Sequence, residues 1–458
     1  MNTTPRQSQY VGHLRSLSSS YRWVTLTTIL VLFCNGCGKN ESGSKVADEG
    51  KQTSQRVQSV AQVLNDNPDD VAALREAGHL LQTNKVGNVT ELTIASSESV
   101  ADLLPHLSGL PNVEVARFTG PGIVDEGMSA IEEWKNIKRL DLSESAITDR
   151  TLESVGKLDS LEVLILRRTA VSQAGLAKLS KLKKLRAIDL RNTNVEDEAM
   201  TELAKLTSLS DIQLEKSKIT DKGVLELSEL PLKSFNANAC TPLSNKTLEV
   251  LGGMESLESI QLDTTRIDDR GMPSLKNLAK LKRLRIRNTD VTGAGFQAIA
   301  GLKNIERFEL RDSSVDDEAL DVISSLPKVT YLDLSECRLI SAEGLKRIGK
   351  LTGLEYLGLW STATDDEVVA AFSELSNLKT LDLKSTRISD EAIETLLKLQ
   401  SLEDLNVAGT RLTDDGFRQL AALPNLKVLN VANTSIGFDV IDDLIEKYPN
   451  LQIAESDL

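Results

Sequence analysis

Arg283, Arg285, Arg287, Arg307 and Arg311 crowd one stretch of this chain, and Tyr331, Tyr356 and Trp360 follow. Arg, Tyr and Trp concentrate binding energy at interfaces, because each joins a broad flat surface to a polar tip. The guanidiniums would steer a carboxylate or sulfate group, and the rings would stack on a sugar, a peptide side chain or another guanidinium. This is the chemistry of recognition. For covalent chemistry the chain is poorly supplied. Its three histidines are His13, His79 and His106, so the remaining three quarters of the sequence has no imidazole base for a Ser-His-Asp or Cys-His arrangement. A zinc site would also lack ligands. The expectation is a binding protein that is not an enzyme, with no cofactor and no metal.

Acidic pairs recur at Asp268-Asp269, Asp316-Asp317-Glu318, Asp365-Asp366-Glu367 and Asp414-Asp415. A column of carboxylates could hold calcium. The same residues suit the first turn of a helix, where an acid caps the free N–H groups and faces the positive end of the dipole. They share their register with single pairs such as Thr148-Asp149 and Thr220-Asp221, which favours capping.

These residues are positioned by a 24-residue period that runs from Val89 to the end of the chain. Units start at 89, 113, 137, 161, 185, 209, 232, 257, 281, 305, 329, 354, 378, 402 and 426, making fifteen. One reads Leu378-x-x-Leu381-x-Leu383-x-x-Thr386-x-Ile388-Ser-Asp390. Alternating leucines predict a short strand with one buried face. Thr or Ser at position nine predicts an inward turn whose hydroxyl bonds the backbone of neighbouring turns. The Thr-Asp or Asp-Asp that follows predicts a helix start, and apolar residues at three-residue spacing fold that helix back onto the strand. Repeats of this kind stack, and each buries its leucines only against its neighbours.

The spacing resembles the leucine-rich repeat family over Val89 to Asn450, with Thr, Ser or Cys where the family usually has Asn. The resemblance implies an α/β fold: a right-handed solenoid, or horseshoe, with a parallel sheet on its concave side and helices on its convex side. Unit 113 departs most, with Ala116 and Pro121 at core positions. On such a sheet, position three reads Arg283, Arg307, Tyr331, Tyr356 up adjacent strands, and position seven reads Arg287, Arg311, Ser335, Trp360. Glu309, Asp312 and Asp333 lie close enough to pair with these arginines. A second basic group is Arg167, Arg168 and Arg191.

Two cysteines, Cys240 and Cys337, fall at position nine of units four apart, roughly 19 Å at about 4.8 Å per strand. That is too far for a disulfide, whose Cα atoms lie within about 7 Å. They are expected as buried, free, unreactive thiols.

The first 37 residues look like an export signal: Arg6, Arg15 and Arg22, no acid before Glu41, then an uncharged run from Trp23 to Phe33 that is too short to cross a bilayer. The segment Cys34-Asn35-Gly36-Cys37 resembles a bacterial lipoprotein signal, which implies lipidation of Cys37. Residues 38–53 read as a flexible tether, and 54–88 as two short helices that cap the array of 89–458. A net charge of -14 argues against nucleic acid. The resulting expectation is a monomer displayed at the cell envelope, lipid-anchored, that binds a protein or glycan, with an anionic partner favoured by the arginines. The alternatives are a substrate adaptor resembling F-box leucine-rich repeat receptors, and a structural envelope protein.

Overall fold

The computed structural model describes residues 65–456. Helix α1 spans Pro68–Glu76, and the Asn67 side chain caps it by accepting the Asp69 N–H at 3.0 Å. The helical spacing of Leu80 and Leu81 with Leu74 does not extend the helix. Gly78 takes a left-handed φ of 81°, and Leu80–Thr83 becomes strand β1, paired antiparallel with β2, Val89–Ala95. Asn84 closes the hairpin by accepting the N–H groups of Val86 and Asn88. The described part of the N-terminal segment is therefore one helix and a hairpin rather than a second full helix. The helix expected over 54–64 lies outside the described residues.

From β2 onward every strand pairs in parallel with the next, which gives a seventeen-stranded sheet. Strands from Arg139–Asp141 onward are three residues long. The fifteen repeat starts account for the parallel strands through Val428–Asn430. One more, Gln452–Ala454, pairs beyond them because the period continues past residue 450. Leu378, Leu381, Leu383 and Ile388 have no exposed surface, as their spacing requires. Burying each contributes roughly 1.5–3 kcal/mol. In unit 113 the small Ala116 is compensated by Phe118 and Trp134, which stack at 6.1 Å; the Trp134 indole donates to the Leu107 carbonyl at 3.0 Å. Some convex segments are 3₁₀ rather than α, as at Leu104–Gly109 and Met272–Asn277, each with a proline in its first turn.

The hydroxyl at position nine bonds within its own turn. Thr386 donates to the Leu383 carbonyl at 2.6 Å, and Thr169 does the same to Leu166. The expected bond to neighbouring turns is made only by the cysteines. Cys240 donates to Leu214 O at 3.2 Å and Cys337 to Leu310 O at 3.1 Å, each in the preceding unit. Both thiols are free and buried. Burial raises both pKa values, that of Cys337 to about 11, so neither is a thiolate at neutral pH.

Position eight is left-handed in unit after unit. Gly120 and Gly409 occupy it twice, but twelve non-glycine residues do so as well, including Arg168, Ala239 and Thr264. The turn aims the N–H of position eight at the position-seven carbonyl of the next unit, as from Thr264 to Arg287 O at 2.8 Å. This conformation costs an L-residue about 1–2 kcal/mol. Thr264 is exposed and β-branched. Thr264→Gly should therefore raise stability by about 0.5–1 kcal/mol, after the greater freedom of glycine in the unfolded chain is subtracted. Urea unfolding measures this, and a loss of stability would show that the threonine side chain makes a contact worth more than the strain.

The paired acids cap and also join. Asp316 and Asp365 cap their own helices. The acid at position thirteen reaches the next unit: Asp269 accepts both the N–H and the hydroxyl of Thr292 at 2.7 Å, and Asp366 does the same with Ser389. Gly295 is needed beside the first of these joints. Its N–H donates to Asp269, and a Cβ there would come within 2.6 Å of the carboxylate. Burial opposes the charge on Asp221, but hydrogen bonds from Ser244 and Thr247 outweigh it and hold the carboxyl below the usual range. Among the described residues, no group of three or more His, Cys, Asp or Glu could hold a metal ion.

Candidate functional site

Strand register sets the geometry of the sheet face. Arg283, Arg307, Tyr331, Tyr356, Thr380 and Asp404 are successive Cα partners across six strands. Odd positions of each strand point away from the leucines, so these side chains share one face. The Tyr331 and Tyr356 rings stack at 3.9 Å with 4° between their planes, and the Arg307 guanidinium lies 3.5 Å above the Tyr331 ring. The strand spacing of about 4.8 Å brings the rings near contact, and a small tilt closes the gap. Burial raises the pKa of both tyrosines, so both hydroxyls stay protonated.

Trp360 sits two residues beyond the Tyr356–Gly358 strand. Arg311 lies 4.3 Å from its ring centroid, and Lys384, from the next unit, lies 4.8 Å away. Trp360, Tyr331 and Tyr356 are all half-buried.

The arginines are engaged with acids in the sheet. Glu309 is only 2% exposed and sits under four of them. Arg283 and Arg307 each approach it at 2.6 Å, Arg287 at 2.8 Å and Arg285 at 3.6 Å. Asp263 pairs with Arg285 at 2.6 Å, and Asp333 with Arg287 at 3.2 Å. Arg311 pairs with Glu336 at 2.7 Å, not with Asp312. Burial would raise the Glu309 pKa, but the guanidiniums of Arg283, Arg307 and Arg287 outweigh burial and hold it below the usual glutamate range. Arg283 moves the other way. Burial lowers its pKa, and Glu309 only partly opposes that while Arg307 and Arg285 add to it. The second basic group is paired likewise: Arg167 and Arg168 with Glu144, and Arg191 with Asp189.

Sequence reasoning brought the arginines and aromatics together correctly in register but passed over what lies beyond them. Past Tyr356 the side chains shorten, and a depression opens that is lined by Trp360, Asp382, Lys384, Asp404, Asn406 and Val428, among others. Its signal was present as Asp382 at position five of unit 378 and Asp404 and Asn406 at positions three and five of unit 402, next to Gly358. Of the histidines, His106 Nδ1 lies 2.6 Å from Asp70, and burial lowers the pKa of His79; His13 lies outside the described residues.

A model of the leucine-rich repeat region matches residues 313–451. No curated protein matches the sequence. Among solved structures, the chain is similar to a leucine-rich repeat protein of Leptospira interrogans, at 17% identity over 80% of this chain and 89% of that one, with a TM-score of 0.50. It is similar also to the Arabidopsis receptor kinase HAESA ectodomain in complex with an N-terminally extended IDA peptide hormone ligand, at 16% identity, 84% and 73% coverage and a TM-score of 0.50. A Listeria monocytogenes internalin aligns at 20% identity, 81% and 96% coverage and a TM-score of 0.48. The stacked parallel sheet, the alternating helices and the match over residues 313–451 make this fold a leucine-rich repeat solenoid.

Proposed function

We propose that this chain is a non-catalytic binding protein that recognises a protein or peptide partner on its sheet face, around Tyr331, Tyr356 and Trp360. The observation that carries this reading is the ordered aromatic column: two rings stacked at 3.9 Å on a solvent-accessible sheet, flanked by arginines already engaged with Glu309, Asp263 and Asp333. Rigid rings cost little conformational entropy to bury, so such a surface suits a hot spot. The engaged arginines serve as the frame of the platform, which shifts the reading away from an anionic partner. The HAESA ectodomain, of similar fold, is in complex with a peptide hormone, and an extended peptide would fit a sheet face of this kind. Envelope extract passed over the wild-type chain and over a Tyr331/Tyr356/Trp360 triple alanine variant tests the site. The partner should be retained by the first and lost by the second. With that partner purified, Trp360→Ala should weaken binding by about 2 kcal/mol or more. Equal retention by both chains would move the site to the helical face.

Export and lipid anchoring belong to the same proposal and rest on the sequence of residues 1–37, outside the described residues. The described residues contain no helix long and apolar enough to cross a membrane. Cys37→Ser should leave the precursor unprocessed and unlipidated. Normal processing of that variant would remove the anchor from the proposal.

A further inference from the structure

The column of side chains that includes the two tyrosines stops abruptly. Arg307 covers Tyr331, Tyr331 covers Tyr356, and the next residue in register is Thr380, too short to continue the stack. Among the described residues no ring and no cation lies over the second face of Tyr356. One strand further on stands Asp404. Two strand spacings separate Tyr356 from Asp404, about 9.6 Å along the sheet. A planar group stacked about 3.5–4 Å from the Tyr356 ring would fill the near half of that gap. In-plane donors of such a group would face Asp382, two residues beyond Thr380 on the same strand, while Asp404 would stand beyond its far face.

The acids here differ from those under the arginines. Nothing among the described residues hydrogen-bonds to the Asp404 carboxylate, and burial alone raises its pKa. Asp382, on the strand of Thr380, accepts the backbone N–H of Lys384 at 2.9 Å, and burial raises its pKa despite the nearby Lys384 charge. Asp382 has Gly358 as its partner on one side and Asn406 on the other, so no neighbouring side chain at Gly358 crowds it. Both carboxylates border the depression beyond Tyr356.

We propose that this slot receives a guanidinium, an arginine side chain of the partner, stacked on the free face of Tyr356 and ion-paired with Asp382, with the charge of Asp404 beyond its far face. The proposal rests on the reading of the sheet face as the binding surface and specifies what that surface selects. The occupant repeats the pairing already built at the other end of the column, where Arg307 stacks on Tyr331 while bonding Glu309 at 2.6 Å. A guanidinium is flat enough to stack and carries donors in its plane for the carboxylate. An ammonium can do the second but not the first.

The test is selection of a random short-peptide library on the full chain, followed by titration of the peptides whose binding Trp360→Ala abolishes. Those peptides should contain arginine. Exchanging that arginine for citrulline, its neutral isostere, should weaken binding at least tenfold. Asp382→Asn should weaken the arginine peptide equally and leave the citrulline peptide unaffected. Asp382→Asn preserves shape and its amide oxygen can still accept the Lys384 N–H, and an unchanged thermal melt keeps loss of folding out of the comparison. Binding of the arginine peptide should also fall as acid protonates Asp382. Face-binding peptides that lack arginine, that tolerate citrulline, or that bind as well with lysine would overturn the slot while leaving the sheet-face reading intact. Failure to select any peptide sensitive to Trp360→Ala would overturn both.

Discussion

Leu383→Asp is expected to split the array into two independently melting halves. Leu383 has no exposed surface. Its N–H donates to Asn406 O at 2.8 Å, and its carbonyl accepts the Thr386 hydroxyl at 2.6 Å, so the backbone cannot easily turn a new side chain outward. An aspartate here would stand among leucines with no cation in reach. It would have to bury a charge or bind a proton, and either costs more than about 4 kcal/mol, at the far end of what single substitutions do. In a globular core that loss would spread over the whole fold. In a stacked array each unit touches only its neighbours, so one broken unit removes two interfaces and leaves the flanking stacks whole. A calorimetric scan should show one transition become two, with the total enthalpy reduced. Ser385→Asp, at an exposed residue two positions on, is the control. A Leu383→Asp scan that overlays the wild type would mean that the strand register is wrong.

Glu309→Gln is expected to cost about 3 kcal/mol, although it preserves the shape of the side chain and changes one charge. Removing one partner of a buried ion pair leaves its opposite unneutralised, a loss of about 3–5 kcal/mol. The lower end applies because the four arginines keep between 23% and 38% of their side-chain surface in water. The pH dependence identifies the cause. The folded state depresses the Glu309 pKa, so its stabilisation is complete above the ordinary glutamate range and is lost as pH falls through the folded value. The gap in urea stability between wild type and Glu309→Gln should therefore be wide at neutral pH and narrow in acid. A gap independent of pH would assign the cost to packing and not to charge. The arginine frame also ties recognition to stability. Arg283→Ser or Arg287→Ser should loosen the platform under Tyr331, because both side chains hold the Glu309 that Arg307 also bonds.

Much of this was legible because the period is short and the leucines obey it. Spacing alone placed Tyr331 opposite Tyr356 and set Arg283 and Arg307 in the same column. What escaped was local. Leu80 and Leu81 sit at helical spacing from Leu74, and only the left-handed Gly78 separates a helix from a hairpin. The left-handed position eight had only a partial compositional signature: Gly120, Gly409, Asn192, Asn288, Asn433 and Asp312 suit it, but Arg168, Ala239 and Thr264 are not turn residues by preference, and there the sheet ladder imposes the conformation from outside. The free slot beyond Tyr356 was hidden for the opposite reason. It is made of small residues and of acids without an arginine beside them among the described residues, which attract less notice in a sequence than clustered arginines.

The joints between units carry one further consequence. Where position thirteen is aspartate, as at Asp125, Asp149, Asp197, Asp221, Asp269, Asp317, Asp366 and Asp390, the facing residue of the next unit is serine or threonine; Asp414 instead accepts the Gly437 N–H. Where the equivalent first residue of the helix is Gln173, Asn245, Gly293 or Ala342, the corresponding residue is Glu196, Asp268, Asp316 or Asp365. Carboxylate never meets carboxylate. At two of these exceptions the polarity is reversed, with Asn245 donating to Asp268 and the Gly293 N–H donating to Asp316. Each unit thus carries half of a lock whose other half belongs to its neighbour. Units of one kind can be duplicated, lost or exchanged as whole cassettes without disturbing the seam. Excising the unit that starts at residue 329 would place Asp317 against Asp365, two like charges at a seam built for a donor and an acceptor. The order of the units is therefore written into the chain twice, once in the face they present to a partner and once in the seams that decide which unit can follow which.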